Sequence, residues 1–309
     1  MKISVDGGAL NPKNNRRFGT VVFSENLIKA LQLYDKKNQY KIYTFDNLRP
    51  RLFWLKGRIS LEEFKQKNDI FLALNQAAPL YTSGKVLSFC HGLSYHYYPE
   101  FYSKKDVNRL NKQLGEMVEK SDKIIVSSIK VKNELISMFP PIKNKIFVLP
   151  FGIPFDMTKS KQNKKQKYFL YVGMNHPIKN ISFIKKAFKK FNTLKDNKNH
   201  RLVLVTKNCS RKKLLRLYRN ASALLTASYY ESFNFPVLEA LSQGCPVVGL
   251  QSAIIPEFKQ YVNTVNNIED FVRNMKKLII KPTVQSINQL DKKFNWKNYV
   301  NNLVKLYRQ

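Results

Sequence analysis

Short β-branched apolar runs alternate with longer amphipathic stretches along this 309-residue chain. A parallel pair of strands needs a crossover long enough to hold a helix, so the alternation specifies βαβ units and parallel sheets. Strands are expected at residues 2–5, 41–45, 70–74, 85–89, 123–127 and 145–149. A glycine-containing loop, 7–19, follows the first of them. Helical spacing appears over 21–33 and over 129–138, the latter stopped by Pro140-Pro141. The pattern then lapses. Residues 155–167 carry Lys159, Lys161, Lys164, Lys165 and Lys167 with no apolar residue after Met157, which reads as a basic linker or surface loop. It restarts with strands at 168–172, 201–206, 223–226 and 246–250 and helices at 182–191, 211–218, 236–242, 268–280 and 296–307. Two α/β units are expected, 1–154 and 168–294, with the terminal helix 295–309 packing back on the first. Such sheets bind ligands at the carboxyl ends of their strands, and a cleft between the units is the natural place.

Composition narrows the class. The chain has 54 Lys and Arg against 21 Asp and Glu, a net charge of +33. That excess fits nucleic-acid phosphate, an anionic membrane surface, or a plain bias toward Lys, Asn and Ile. Charge alone does not choose among them. The lysines look dispersed, without interleaved aromatics or a reading motif, so nucleic acid is not an expected partner. Cys90, Cys209 and Cys245 are scattered and odd in number, which argues against a disulfide framework or a zinc site. No apolar run approaches the ~18 residues of a membrane span. The opening Met1-Lys2-Ile3-Ser4-Val5-Asp6 reads as a strand rather than a signal peptide. A cytoplasmic location is expected, with peripheral contact to an anionic membrane surface.

The most informative segment is Tyr229-Tyr230-Glu231-Ser232-Phe233-Asn234-Phe235-Pro236-Val237-Leu238-Glu239-Ala240. A strand enters it and a helix leaves it. Pro236 suits a first helical turn, and Asn234 stands where a cap is expected. The positive end of that helix would face the loop and favour an anion. Glu231 and Glu239 offer carboxylates to sugar or ribose hydroxyls, although such residues also serve as caps and solvated side chains.

This stretch resembles the E-x7-E motif of the retaining GT-B glycosyltransferases of group 1, the family 4-like enzymes that include the sucrose and glycogen synthases. Further segments are similar in the same order: Val5-Asp6-Gly7 with Gly19 and Glu25-Asn26-Leu27; His91 before Gly92; Ser121 to Ser127; Tyr171-Val172-Gly173 with Lys179-Asn180; Leu217-Tyr218-Arg219-Asn220-Ala221; Gly244-Cys245-Pro246-Val247-Val248; Ile255-Pro256-Glu257; and Phe294-Asn295-Trp296.

The resemblance implies a GT-B fold, α/β, with two Rossmann-like domains facing across a cleft. It implies a hexosyltransferase that takes its sugar from a UDP- or GDP-linked donor, with retention and without a metal. The acceptor is a glycan or a lipid-linked molecule, anionic in view of the charge. His91, Lys179 and Glu231 take the catalytic roles. Gly19, Gly173, Lys179, Glu231, Ser232, Phe233, Asn234, Phe235 and Glu239 line the donor: Glu231 on sugar hydroxyls, Glu239 on ribose, Lys179 on the departing diphosphate. His176, Arg16 and Arg17 are weaker candidates.

The chain also departs from the family. Asn234 stands where glycine is frequent, Gly92 where aspartate follows the histidine, and no arginine precedes Lys179. A strand and a glycine loop are missing near 207–211. A catalytically weak or inactive sugar-nucleotide-binding homologue is therefore the alternative, and a basic nucleic-acid-binding protein a more distant one.

Overall fold

In the computed structural model, which describes residues 1–10, 19–46, 48, 53–157, 165–193, 199–280 and 287–309, the first strand, β1 (Lys2–Asp6), is buried from Ile3 onward. It pairs in parallel with β2 (Gln39–Tyr43) and β3 (Ile70–Ala73). The sheet continues through β4 (Lys85–Cys90), β5 (Lys123–Val126) and β6 (Ile146–Val148), in the order β2-β1-β3-β4-β5-β6. Its inner strands are buried along their length because helices cover both faces, which is why they read as unbroken apolar runs.

Helix α1 (Gly19–Tyr34) joins β1 to β2. Phe23 on α1 lies beneath Trp296 and Tyr299, each 6.3 Å between ring centroids, so the terminal helix closes this unit. Between β2 and β3 a π-helical turn (Trp54–Ile59) runs into α2 (Ser60–Lys65). After β4 come α3 (Ser94–Tyr97) and α4 (Lys104–Lys120), then α5 (Ile129–Met138) between β5 and β6. The strand-and-helix reading leaves α4 unassigned. It is strongly charged, yet Leu114, Met117 and Val118 share one buried face and Ser103 caps it by accepting the Asp106 amide.

Residues Met1–Phe151 and Asn295–Gln309 form this first compact unit, and Gly152–Phe294 form a second. The second sheet comprises β7 (Tyr168–Val172), β8 (Arg201–Val205), β9 (Ala223–Thr226), β10 (Val247–Leu250) and β11 (Asn263–Val265), ordered β11-β10-β9-β7-β8 and parallel throughout. Its crossovers carry α6 (Ile181–Asn192), α7 (Arg211–Asn220) and α8 (Phe235–Ser242); α9 (Ile268–Ile280) and α10 (Ile287–Lys293) follow β11. Phe169, Ile184, Phe191, Leu225, Val248, Phe271 and Met275 form the core on one face. Among the described residues β8 is one of the two edge strands, and α7 begins six residues after it ends, which leaves no room for another strand there.

Part of the expected linker belongs to the second unit. Lys165 donates to the carbonyls of Arg219 (2.9 Å) and Gly244 (3.0 Å), and burial lowers the pKa of its ammonium. Residues 158–164 of that segment, with Lys159, Lys161 and Lys164, lie outside the described residues.

Candidate functional site

The carboxyl ends of β7, β9 and β10 lie side by side in the second unit. Gly173 follows β7, its amide bonded to the Val205 carbonyl at 3.1 Å. A Cβ there would stand 2.7 Å from the Tyr171 hydroxyl, which itself reaches the Met174 carbonyl, so a side chain at this position would have to displace that hydroxyl. The chain then makes a single tight turn, Pro177–Lys179, closed by Asn180 in the left-handed region at φ 49°. His176 starts the turn, its Nδ1 accepting the Ile178 amide at 3.3 Å. The Tyr229 amide donates to the Ile178 carbonyl at 2.9 Å and ties this turn to the segment after β9.

That tie brings Lys179 to Glu231. The Lys179 ammonium donates to Glu231 Oε1 at 2.7 Å, although 52 residues separate them. Ser228 Oγ donates to the same oxygen at 2.7 Å, and Ser252 Oγ at the end of β10 fixes the Ser228 carbonyl at 2.8 Å. The two ionised side chains are only 19% and 11% exposed, so their attraction is little screened by water.

Ser232 is half-buried next to Glu231, and the rings of Phe233 and Phe235 turn into the domain. Phe233 meets Phe235 and Phe258 at 5.3 Å and Phe294 at 6.2 Å. This aromatic anchor fixes the loop, so any ligand contact by Phe233 or Phe235 falls to the backbone.

Asn234 corrects the expected cap. It occupies the N-cap of α8, but its side chain donates instead to the Ala253 carbonyl (3.1 Å) and Thr226 Oγ1 (3.3 Å). Its backbone is left-handed, φ 72°, a conformation that glycine enters freely and Asn better than other residues. That explains a glycine-or-Asn choice at this position. Asn234→Ala is expected to unfold at lower denaturant than Asn234→Gly, by about 1 kcal/mol, since both lose the amide bonds but only alanine is strained. Chemical denaturation of the two variants checks this.

Glu239 is not open to solvent as expected of a ribose ligand. It is 3% exposed, and both its oxygens are engaged: Oε1 by Arg211 at 2.8 Å, Oε2 by the Tyr218 hydroxyl at 2.9 Å. Arg211 also forks onto Asp156 at 2.7 and 2.8 Å. Burial raises the Glu239 pKa, opposed by Arg211. Burial by itself lowers the pKa of the guanidinium, but the Glu239 and Asp156 charges overcome that and hold it above its ordinary value. Arg211, Tyr218 and Asp156 were not among the expected site residues. Arg211 stands 28 and 55 residues from its two acids, so no local pattern announces the triad.

His91 lies in the other unit, at the end of β4, and is described there alone. Its Nε2 lies 2.6 Å from the Leu74 carbonyl. A carbonyl only accepts, so Nε2 carries the hydrogen and Nδ1 is the acceptor. The ring packs edge-on against Phe23 at 5.0 Å. Gly92 follows at φ 121°, a region closed to aspartate, which explains that departure from the family pattern. Burial lowers the His91 pKa below 6.5, against the pull of the Leu74 carbonyl. The unfolded chain therefore binds more protons, and this contribution to stability is complete above about pH 6.5 and lost as pH falls below it. His176 is shifted the same way, by burial and then by Lys179. Thermal stability is expected to drop as pH falls below about 6.5, and His91→Gln to flatten part of that slope.

Gly19 is the exposed first residue of α1. Arg16, Arg17 and the rest of the loop before it lie outside the described residues. The basic residues are not wholly dispersed either. Arg201, Lys212, Lys213 and Arg216 line a 560 Å³ groove between α7 and β8. Its aromatic floor, Tyr168, is 3% exposed with its hydroxyl donated to the Leu217 carbonyl, so it offers no stacking face for a base. Among the described residues no helix is long and apolar enough to cross a membrane.

Two parallel-sheet Rossmann-like domains define the chain as a protein of the GT-B fold, and the comparisons agree. Residues 192–302 match the family model described as glycosyl transferases group 1, so the resemblance to that group is shown. The chain is 23% identical over 209 residues to the O-antigen chain mannosyltransferase B of Escherichia coli. It is 25% identical over 211 residues to a probable sucrose-phosphate synthase of Thermosipho melanesiensis. These matches cover 56% and 55% of this chain, and 55% and 49% of the two relatives, so the chain spans about half the length of the curated relatives it matches. In fold it is similar to the solved sucrose-phosphate synthase of Thermosynechococcus elongatus, with a TM-score of 0.74 over 100% of this chain and 98% of that one, at 13% identity.

Proposed function

We propose that this chain is a retaining hexosyltransferase using a nucleotide-sugar donor and a glycan or lipid-linked acceptor. The observation that carries the reading is the Lys179–Glu231 pair, held at 2.7 Å at the carboxyl ends of β7 and β9. A carboxylate that accepts hydroxyl hydrogens and an ammonium that meets a diphosphate are the two groups a sugar-nucleotide donor needs at its scissile bond.

In this reading Glu231 takes donor-sugar hydroxyls and Lys179 faces the diphosphate, neutralising the charge that grows as the leaving group departs. The acceptor oxygen bonds to the anomeric carbon on the face the diphosphate leaves. The carbon–oxygen bond to phosphate breaks, and the acceptor's proton passes to the departing phosphate oxygen. The protein contributes position and charge, with no covalent step of its own. Lys179 fills the role of a counter-cation, so the reading requires no metal. His91, a neutral ring in the first unit with Nδ1 as acceptor, would take a hydroxyl hydrogen from the acceptor molecule. An abundance of surface lysine suits an anionic acceptor.

One observation favours the alternative of a binding homologue without turnover. Glu239 is already engaged by Arg211 and Tyr218. A ribose would have to share a carboxylate whose oxygens retain acceptor capacity but little access.

The test is a turnover screen of UDP-, GDP- and ADP-hexoses with simple glycoside acceptors, read by nucleotide release and by the proton NMR anomeric coupling of the product. Release with the donor's anomeric configuration retained, undiminished by a chelator, supports the proposal. Tight binding without release supports the homologue that does not turn over.

A further inference from the structure

Four large apolar side chains stand exposed together on the first unit. Phe64 is 75%, Leu80 66%, Leu61 56% and Tyr81 45% accessible. Two structural links make them one patch. Leu61 and Phe64 are three apart on α2 and share a face. The amides of Leu80 and Tyr81 both donate to Ser60 Oγ, at 3.0 and 3.2 Å, which seats the 80–81 segment against the start of α2. The Phe64 and Tyr81 rings then meet edge to face at 5.6 Å. The platform is fixed from below: buried Glu63 accepts from Tyr43 (2.9 Å), Asn68 (3.0 Å) and Thr82 (2.7 Å).

Cations lie on the elements that carry the patch and on α4. Lys56 and Arg58 lie on the turn before α2 and Lys65 at its end. Lys120 on α4 donates to the carbonyls of Pro79 and Leu80, and Lys112 lies close enough to act on Glu116. The acids among them are Glu62, paired with Arg58 and Lys65, Glu116, paired with Lys56, and Glu63, buried beneath the patch. Positive charge remains in excess, within a chain of net charge +33.

We propose that this patch docks the protein on an anionic lipid bilayer. Aromatic and leucine side chains partition into the interfacial zone, while lysines at their rim meet lipid phosphates. The occupant is chosen by charge and by shape. A second copy would bring two strongly cationic surfaces together. The exposed Phe64 and Tyr81 rings are tilted edge to face and spend part of their surface on each other, which leaves less of a stacking platform for a nucleic-acid base. The proposal goes beyond the sugar-transfer reading and does not depend on it.

Flotation of the full chain with vesicles tests it, without any sugar nucleotide, so its failure and a failure of the donor-site reading are separate results. The probes are vesicles of phosphatidylcholine alone and vesicles containing phosphatidylglycerol. The expected result is co-flotation with the anionic vesicles only, weakening as salt rises. Phe64→Ser/Leu80→Ser should float about tenfold less, as should Lys56→Gln/Lys65→Gln, with thermal transitions nearly unchanged because these positions are exposed and surface ion pairs contribute little. Absence of flotation, or flotation equal in the Phe64→Ser/Leu80→Ser variant, overturns the proposal. So does a wild-type dimer that does not float and that the same variant converts to monomer, which would assign the patch to self-association.

Discussion

Glu231→Ala is expected to lower kcat/KM for sugar transfer by about a hundredfold or more. Two effects add. Hydrogen bonds to a charged group are worth about 1.5–3 kcal/mol, or roughly ten- to a hundredfold in rate, and in the proposed reading the carboxylate takes donor hydroxyls. The same change frees the Lys179 ammonium, which is only 19% exposed and then has lost the acceptor that holds it in place. A misplaced cation no longer meets the diphosphate, so the loss extends beyond the missing contact. Glu231→Gln separates the two, since it keeps an acceptor oxygen for hydroxyls but removes the charge that holds Lys179. It should fall between wild type and alanine. Stability falls by about 1–3 kcal/mol, the cost of leaving a largely buried ammonium without its hydrogen-bonded partner. Steady-state kinetics with a soluble acceptor, alongside urea unfolding, gives both numbers.

The largest stability effect is expected at Arg211. Its guanidinium holds two carboxylates, Asp156 and the 3%-exposed Glu239. Arg211→Met leaves Glu239 buried with the Tyr218 hydroxyl as the partner that remains, a neutral donor facing a charge. Breaking a buried ion pair by deleting one member costs about 3–5 kcal/mol. At about 2–4 °C per kcal/mol for a protein of moderate size, the second unit should melt on the order of ten degrees earlier. Neutralising the stranded acid reverses much of this. Arg211→Met/Glu239→Gln is therefore expected to be more stable than Arg211→Met, although it carries one more substitution. Calorimetry of the single and double variants measures the coupling directly. Equal melting of the two would show that Glu239 is not the group left uncompensated.

The fold was legible because its signal is local. Each inner strand of both sheets is a short buried run, and β7, β9 and β10 begin and end within a residue or so of where the apolar pattern does. Helix α4 was missed because its lysines and glutamates mask a buried stripe of only a few residues. The three-residue β11 carries too little periodicity to announce itself. The site divides in the same way. Glu231 and Lys179 were legible from a motif and a loop, and the fold joins them. Asn234 was legible in position but not in role, because its left-handed backbone turns the amide toward Thr226 and Ala253 rather than toward the helix it precedes. Arg211 was invisible, since its partners become neighbours only when α7 packs beside α8.

The central claim, that the turn after β7 and the loop after β9 together form a nucleotide-sugar site, is tested most directly by titrating UDP, GDP and ADP, free and as hexose conjugates, into wild type and Lys179→Met by calorimetry. The account predicts that one nucleotide family binds the wild type and that its affinity falls at least about tenfold in Lys179→Met, the loss of one charge-assisted contact to diphosphate. Binding of none of them, or binding of equal strength in the variant, would contradict it.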